Sequence, residues 1–230
     1  LPSTLSYRDL ALIDHLSLAS SLARRAEYEK MVVILGQDIT GIGAVAMLKK
    51  RGVAKVIACD ISKIRQKASA EAGADIVIDS VNQDVVQVVM KETQGIGADC
   101  VIICDNRPIA YIQAVSMVRN MGRIWTTRPD FVRLNPALLP DQASKFSVVT
   151  PESAAYRDPA INLSPTFAAM QFGLGYGYKQ LRFQEAIEFL SNGKCNAEKL
   201  ITHVFPLDRI KEAFEVAMDP HQSIKVLVEP

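Results

Sequence analysis

The sequence predicts an α/β fold, a doubly wound parallel sheet with a short C-terminal α+β appendage. Three observations predict it. Short apolar runs rich in β-branched residues alternate with helical segments through the first two thirds of the chain. A glycine-bearing turn, Gly36 to Gly41, joins the first of those runs to a helix. Two amphipathic helices and one further apolar run then occupy residues 183–230. Repeated βα units of this kind specify parallel strands with helices on both faces.

Taken in order, Leu5–Glu29 reads as one or two helices, with Ser6 as a cap. Met31–Leu35 is an apolar run typical of a strand buried on both faces. Helix Ile42–Lys50 ends at Gly52, strand Val53–Cys59 runs up to Asp60, and helix Ser62–Ala72 stops at Gly73. Strand Ile76–Asp79, helix Gln83–Thr93, a Gly95/Gly97 turn, strand Ala98–Cys104, helix Ile109–Val118 and strand Gly122–Thr126 complete the alternation. Six prolines from Pro129 to Pro165 then break the pattern, leaving one short strand, Phe146–Val149. Phe172–Tyr178 is too glycine-rich for regular structure and reads as a loop. Helix Phe183–Asn192 ends at Gly193, helix Leu207–Met218 begins at Pro206 and Asp208, and strand Ile224–Val228 closes the chain. The implied organisation is a helical lead-in (1–30), a nucleotide-type domain (31–150), a Pro/Gly/aromatic loop region (151–182) and C-terminal helices with a closing strand (183–230).

Composition narrows the function. Hydrophobic residues make up 49% of the 230, enough for a sizeable core. The net charge is only +1, and no basic stripe interleaved with aromatics argues for nucleic acid. No run of about 18 apolar residues argues for a membrane span. The N-terminus lacks the layout of a signal peptide. Cys59, Cys100 and Cys104 fall in predicted buried strands, as small hydrophobes. Cys100 and Cys104 share a strand face, but no other Cys or His lies near them, which favours packing over a metal pair. With Cys195, this cysteine usage suits a reducing cytoplasm. A first residue of Leu1 instead of Met suggests a fragment or a processed product.

The candidate site centres on the turn. Gly36 supplies tight-turn backbone angles, and Gly41 lets the next helix pack closely on the strand. Asp60 lies where an acid would accept hydrogen bonds from ribose hydroxyls. Its carboxylate would repel a 2′-phosphate, favouring NAD over NADP, although Lys63 and Arg65 stand close enough in sequence to soften that preference. Asp38 occupies the position of the middle glycine in G-x-G-x-x-G. At an effective dielectric near 20, like charges about 4 Å apart repel by roughly 4 kcal/mol. Either the dinucleotide is retained, with Asp38 turned aside or Gly43 shifting the loop register, or the fold persists without its nucleotide.

These residues together resemble the C-terminal, cofactor-binding part of the zinc-type medium-chain alcohol and polyol dehydrogenases. Leu12-Ile-Asp14-His-Leu is similar to the helix leading into that part. Val33-Ile-Leu-Gly36, Lys55-Val-Ile-Ala-Cys-Asp60 and Gly73-Ala-Asp75 resemble successive landmarks of its nucleotide fold. Leu200-Ile-Thr-His203-Val-Phe-Pro206-Leu207, followed by Ala213-Phe214, resembles the family's stretch near the C-terminus, and Ile224-Lys-Val-Leu-Val its closing strand. The resemblance implies hydride transfer between a small-molecule alcohol and NAD, with zinc supplied by an N-terminal catalytic domain that these residues do not include. It places Asp14 beside that zinc as a partial ligand, although one carboxylate makes no site where three protein ligands are needed. A polar lead-in helix is the equal reading of Asp14 and His15.

Where the family carries small residues, this chain has Cys104-Asp-Asn106-Arg107 and Thr127-Arg128. These add bulk to the crevice, or set Arg107 and Arg128 to meet phosphate or a substrate carboxylate, unless the two arginines are simply solvated loop residues. The candidate cofactor set is thus Gly36, Asp38, Ile39, Gly41, Asp60, Arg65, Cys104, Asn106 and Arg128, with no catalytic residue assigned. The family's habit of pairing through a sheet edge implies a homodimer, with Phe146–Val149 as the interface strand, or pairing with another chain. Ile224–Val228 has no evident partner strand, so it pairs within a C-terminal lobe or with another subunit. The alternative function is non-redox: the scaffold reused for small-molecule binding, isomerisation or cyclisation, or as a subunit partner. Tyr156, Phe167, Phe172, Tyr176 and Tyr178 would then wall the crevice or fill a local core.

Overall fold

The computed structural model describes residues 5–105, 107–127, 160–162, 171–174, 179–192 and 197–230. Helices α1 (Tyr7–Leu10) and α2 (Ile13–Ala26) lead in. Ser6 caps α1 in a capping box with Asp9. The alternation follows: β1 (Met31–Leu35), α3 (Ile39–Lys50), β2 (Lys55–Asp60), α4 (Lys63–Glu71), β3 (Ile76–Asp79), α5 (Val85–Glu92), β4 (Ala98–Ile103), α6 (Pro108–Met117) and β5 (Val118–Thr126). Strands β6 (Ala160–Asn162) and β7 (Gln171–Leu174) extend the sheet.

The strand order is β3-β2-β1-β4-β5-β7-β6. All neighbours pair in parallel except β6, which runs antiparallel to β7. The chain thus winds outward one way from β1 to β3, then crosses to β4 and winds the other way. Because successive side chains on a strand point to opposite faces, the sheet builds two cores. Val32, Ile34, Val56, Ala58, Cys100 and Ile102 face one core, closed by α2 and α3. Val33, Leu35, Ile57, Cys59, Val101 and Ile103 face the other, closed by α5 and α6. Cys100 and Cys104 lie in the same core, as their spacing predicts.

Two expectations need correction. The helix after the turn starts at Ile39, not Ile42, because Asp38 caps it. Phe172, Gly173 and Leu174 are not loop. They pair with Ile124, Trp125 and Thr126 of β5, since glycine weakens a strand without forbidding it. The closing strand takes the first of its two expected arrangements and pairs within the C-terminal lobe. Following α7 (Lys179–Ser191) and α8 (Ala197–Leu200), β8 (Ile201–Pro206) pairs in parallel with β9 (Lys225–Glu229). A 3₁₀ turn, Leu207–Arg209, and helix α9 (Ile210–Met218) connect the two. The strand expected at Phe146–Val149 lies outside the described residues.

This appendage is not separate from the domain. Leu200, Ile224 and the α7 residues Ala186, Phe189 and Leu190 belong to the α2/α3 core. Arg65 Nε donates to the Ser223 carbonyl at 3.1 Å, and Arg8 meets Glu229 through two hydrogen bonds. Among the described residues no helix is long and apolar enough to cross a membrane.

Candidate functional site

The winding direction reverses between β1 and β4, and ligands of such sheets bind outside the carboxyl ends of the strands at that point. Gly36 sits there with φ +88°. A Cβ on it would lie 2.7 Å from the Asp105 nitrogen, so the turn presses directly on the chain leaving β4. A Cβ on Gly41 would lie 2.2 Å from the Gly36 carbonyl oxygen. Both positions therefore require hydrogen in place of a side chain. Gly43 behaves differently. Its missing side chain faces Leu16 and Ala19 of α2, so it serves helix packing, and the loop register does not shift there.

Behind the turn, Asp60 acts as a brace. Its two carboxylate oxygens accept from the Gln37 N–H at 2.6 Å and the Ser62 N–H at 2.8 Å. Gln37 is fully buried. It donates to the Ile34 carbonyl and accepts from the Ser69 hydroxyl, both at 3.0 Å. The Ser62 hydroxyl is buried and has no hydrogen-bond partner among the described residues. An orphaned polar atom beside the strand-end acid fits a hydroxylated ligand.

Asp38 occupies the mouth of the turn. Its backbone is extended (φ −73°, ψ −173°), and its side chain accepts from the Gly41 N–H at 2.9 Å, capping α3. This is the position where helix amides and the macrodipole favour an anion. Burial pushes the Asp38 carboxyl above the usual carboxylate range, against the pull of the Gly41 N–H and of His15 and Arg65. Beside it lies a cavity of about 200 Å³ lined by His15, Asp38, Ile39, Ser223, Ile224 and Lys225, among others. Lys225 Nζ stands 3.1 Å from His15 Nε2. Burial, followed by the Lys225 charge, holds His15 below its ordinary value.

Of the remaining expected site residues, Ile39, Arg65 and Cys104 lie around Asp38. Ile39 is buried at the start of α3 and lines that cavity. Arg65 is engaged by Ser223 of the appendage, and Lys63 by Asp79 at 2.5 Å. Cys104 is buried, its N–H bonded to the Leu35 carbonyl at 2.8 Å, and burial pushes its thiol well up. Arg107 folds back on Asp105, with Nε 3.0 and 2.9 Å from the two carboxylate oxygens. Asn106 and Arg128 lie outside the described residues, as do Tyr156, Phe167, Tyr176, Tyr178 and Cys195. Asp14 is exposed, and no group of three or more His, Cys, Asp or Glu among the described residues could hold a metal. The described residues do not fit a zinc centre.

Gln37, Ser62 and Lys225 escaped the sequence reading. The first two lie beside residues the glycine pattern does mark. Lys225 is separated from His15 by 210 positions, and no local signal joins them.

Sheet order and winding define a Rossmann-like α/β domain. Residues 40–127 match the family of zinc-binding dehydrogenases. Sorbitol dehydrogenase of Bacillus subtilis (strain 168) is 25% identical over 233 residues, covering 100% of this chain and 59% of the relative. An alcohol dehydrogenase from Thermus sp. ATN1 superposes with a TM-score of 0.74 at 23% identity, covering 100% of this chain and 61% of that one. An alcohol dehydrogenase from E. coli CFT073, solved with NADH, gives a TM-score of 0.71 at 21% identity over 100% and 61% of the two chains. The resemblance to zinc-type alcohol and polyol dehydrogenases therefore holds, over their cofactor-binding part. The chain spans about three fifths of the length of these relatives.

Proposed function

We propose that this chain is the NAD(H)-binding part of a medium-chain alcohol or polyol dehydrogenase-like oxidoreductase. One observation carries the reading: a turn that tolerates no side chain at Gly36 or Gly41 opens at the switch point of the sheet, braced by Asp60. The NADH carried by the E. coli relative supports it. The amides at the start of α3 would hold the diphosphate, and Asp60 with the Ser62 hydroxyl would hold the adenosine ribose. Asp60 disfavours a 2′-phosphate. With Lys63 engaged by Asp79 and Arg65 by Ser223, the choice is NAD and not NADP. When bound, the nicotinamide supplies hydride exchange with a small-molecule alcohol. No step is assigned to zinc, because the described residues do not form its site. We place the protein in the cytoplasm as a homodimer or paired chain, with a sheet edge as the interface.

Thermal unfolding with added nucleotide tests the cofactor. Ligand at a hundred times its dissociation constant adds about 2.7 kcal/mol of stability. NADH should raise the midpoint and NADPH should raise it less. No response to millimolar NADH would rule the reading out.

A further inference from the structure

Asp38 and a bound diphosphate would claim the same donor. The Gly41 N–H already hydrogen-bonds the Asp38 carboxylate, in the first turn of a helix whose flanking glycines keep the shape of an anion cradle. A second anion cannot take that N–H while the first remains. The adjoining cavity offers somewhere for the carboxylate to go. It is about 200 Å³, and Asp38 itself forms part of its wall. Lys225 also lines it, and its ammonium contacts a His15 ring nitrogen. Among the described residues no carboxylate pairs with Lys225. The titratable groups around Asp38 are His15 on α2 and Arg65 on α4, with the Cys104 thiol beside it after β4.

We infer that the Asp38 carboxylate is a built-in competitor for the anion position at the start of α3, and that a dinucleotide's diphosphate displaces it into the adjoining cavity against Lys225. The inference rests on the cofactor reading above and adds its regulation. The cofactor binds only after exchanging one internal anion for its own, and the closing strand receives the one displaced. Cofactor affinity is thereby tied to the seating of the C-terminal appendage, since Lys225 belongs to β9.

Calorimetric titration of NADH against wild type, Asp38→Asn, Asp38→Gly, Lys225→Gln and the Asp38→Asn/Lys225→Gln double variant tests this. Asparagine keeps the capping oxygen and removes the charge, so that variant retains the start of α3. The expected result is NADH affinity at least tenfold higher in Asp38→Asn. Adenosine, which lacks the diphosphate, should bind wild type and Asp38→Asn equally. Lys225→Gln should weaken NADH more in wild type than in the Asp38→Asn background, because only wild type has a carboxylate to receive. Equal NADH affinity of wild type and Asp38→Asn would overturn the competition while leaving the cofactor reading intact. Equal effects of Lys225→Gln in both backgrounds would overturn Lys225 as the receiver. Failure of every variant, Asp38→Gly included, to bind NADH would overturn the inference and the cofactor reading together.

Discussion

Asp38 shows how one residue can serve two conflicting roles. As a cap it satisfies an amide that would otherwise lack an intrahelical partner. As a carboxylate held among Ile39, Cys104 and the appendage, it suffers desolvation, which raises its pKa. The sign of the stability effect follows. An acid whose folded pKa lies above its unfolded value of about 3.9 destabilises the fold when ionised. The cost is complete above the folded value and vanishes below the unfolded one. Asparagine caps a helix about as well as aspartate. Asp38→Asn is therefore expected to be more stable than wild type at pH 7, with the gap closing as the pH is lowered through the acid range. Midpoints of thermal unfolding recorded from pH 7 to pH 3 measure it, and a gap that widened toward low pH would refute the burial argument. The sequence marks Asp38 as an exception to the glycine pattern but hides its capping role. The repulsion from a ligand can be estimated from charge alone, whereas the bond to Gly41 depends on where the helix begins.

At the scale of elements, legibility follows how local the determinants are. Strands β1, β2 and β4 are short apolar runs buried on both faces, and each pairs with neighbours of the same kind, so composition alone reveals them. The alternation of side chains between two cores also follows from strand geometry. β7 and β8 were harder to read. Gly173 sits inside β7, and the strand exists because β5 offers it an open edge. β8 carries Thr202, His203 and the terminal Pro206, with a register shift between Ile201 and His203. Its partner lies beyond a helix, so its own residues give no pairing signal. Thr202 repairs the shifted ladder: its hydroxyl accepts from the Ile224 N–H at 3.2 Å and donates to the Lys225 carbonyl at 3.1 Å. Valine would fill the same space and leave both groups unpaired. Thr202→Val should cost about 1–3 kcal/mol, the range for orphaning a buried polar group. Urea denaturation reads this as a lower midpoint at unchanged slope. A loss below about 0.3 kcal/mol would mean that water replaces the hydroxyl.

At the scale of the whole molecule, the question is what fastens the appendage over the turn, since the turn's cavity is closed on one side by Ser223, Ile224 and Lys225. Two kinds of contact compete for the answer. One is ionic: Arg8 with Glu229 and Lys199 with Glu71, all with side chains at least 42% exposed. Pairs that exposed contribute little and weaken in salt. The other is apolar: Ile224, 8% exposed, and Leu200, 5% exposed, set into the same core as α2 and α3. Truncating a buried isoleucine to alanine costs about 2–5 kcal/mol. Magnitude therefore assigns the seating to the core, with the ion pairs as minor trim. Ile224→Ala should lower the unfolding free energy by at least about 2 kcal/mol. Arg8→Ala should leave the unfolding midpoint close to that of wild type, and closer still at high salt. Because Ile224 directly precedes Lys225, the same truncation should also loosen the cavity wall and weaken NADH, whereas Arg8→Ala should leave NADH affinity unchanged. Paired denaturation and NADH titration of the two variants measure both effects. If Arg8→Ala proved the costlier in either, the appendage would be an electrostatic clip and not an extension of the core.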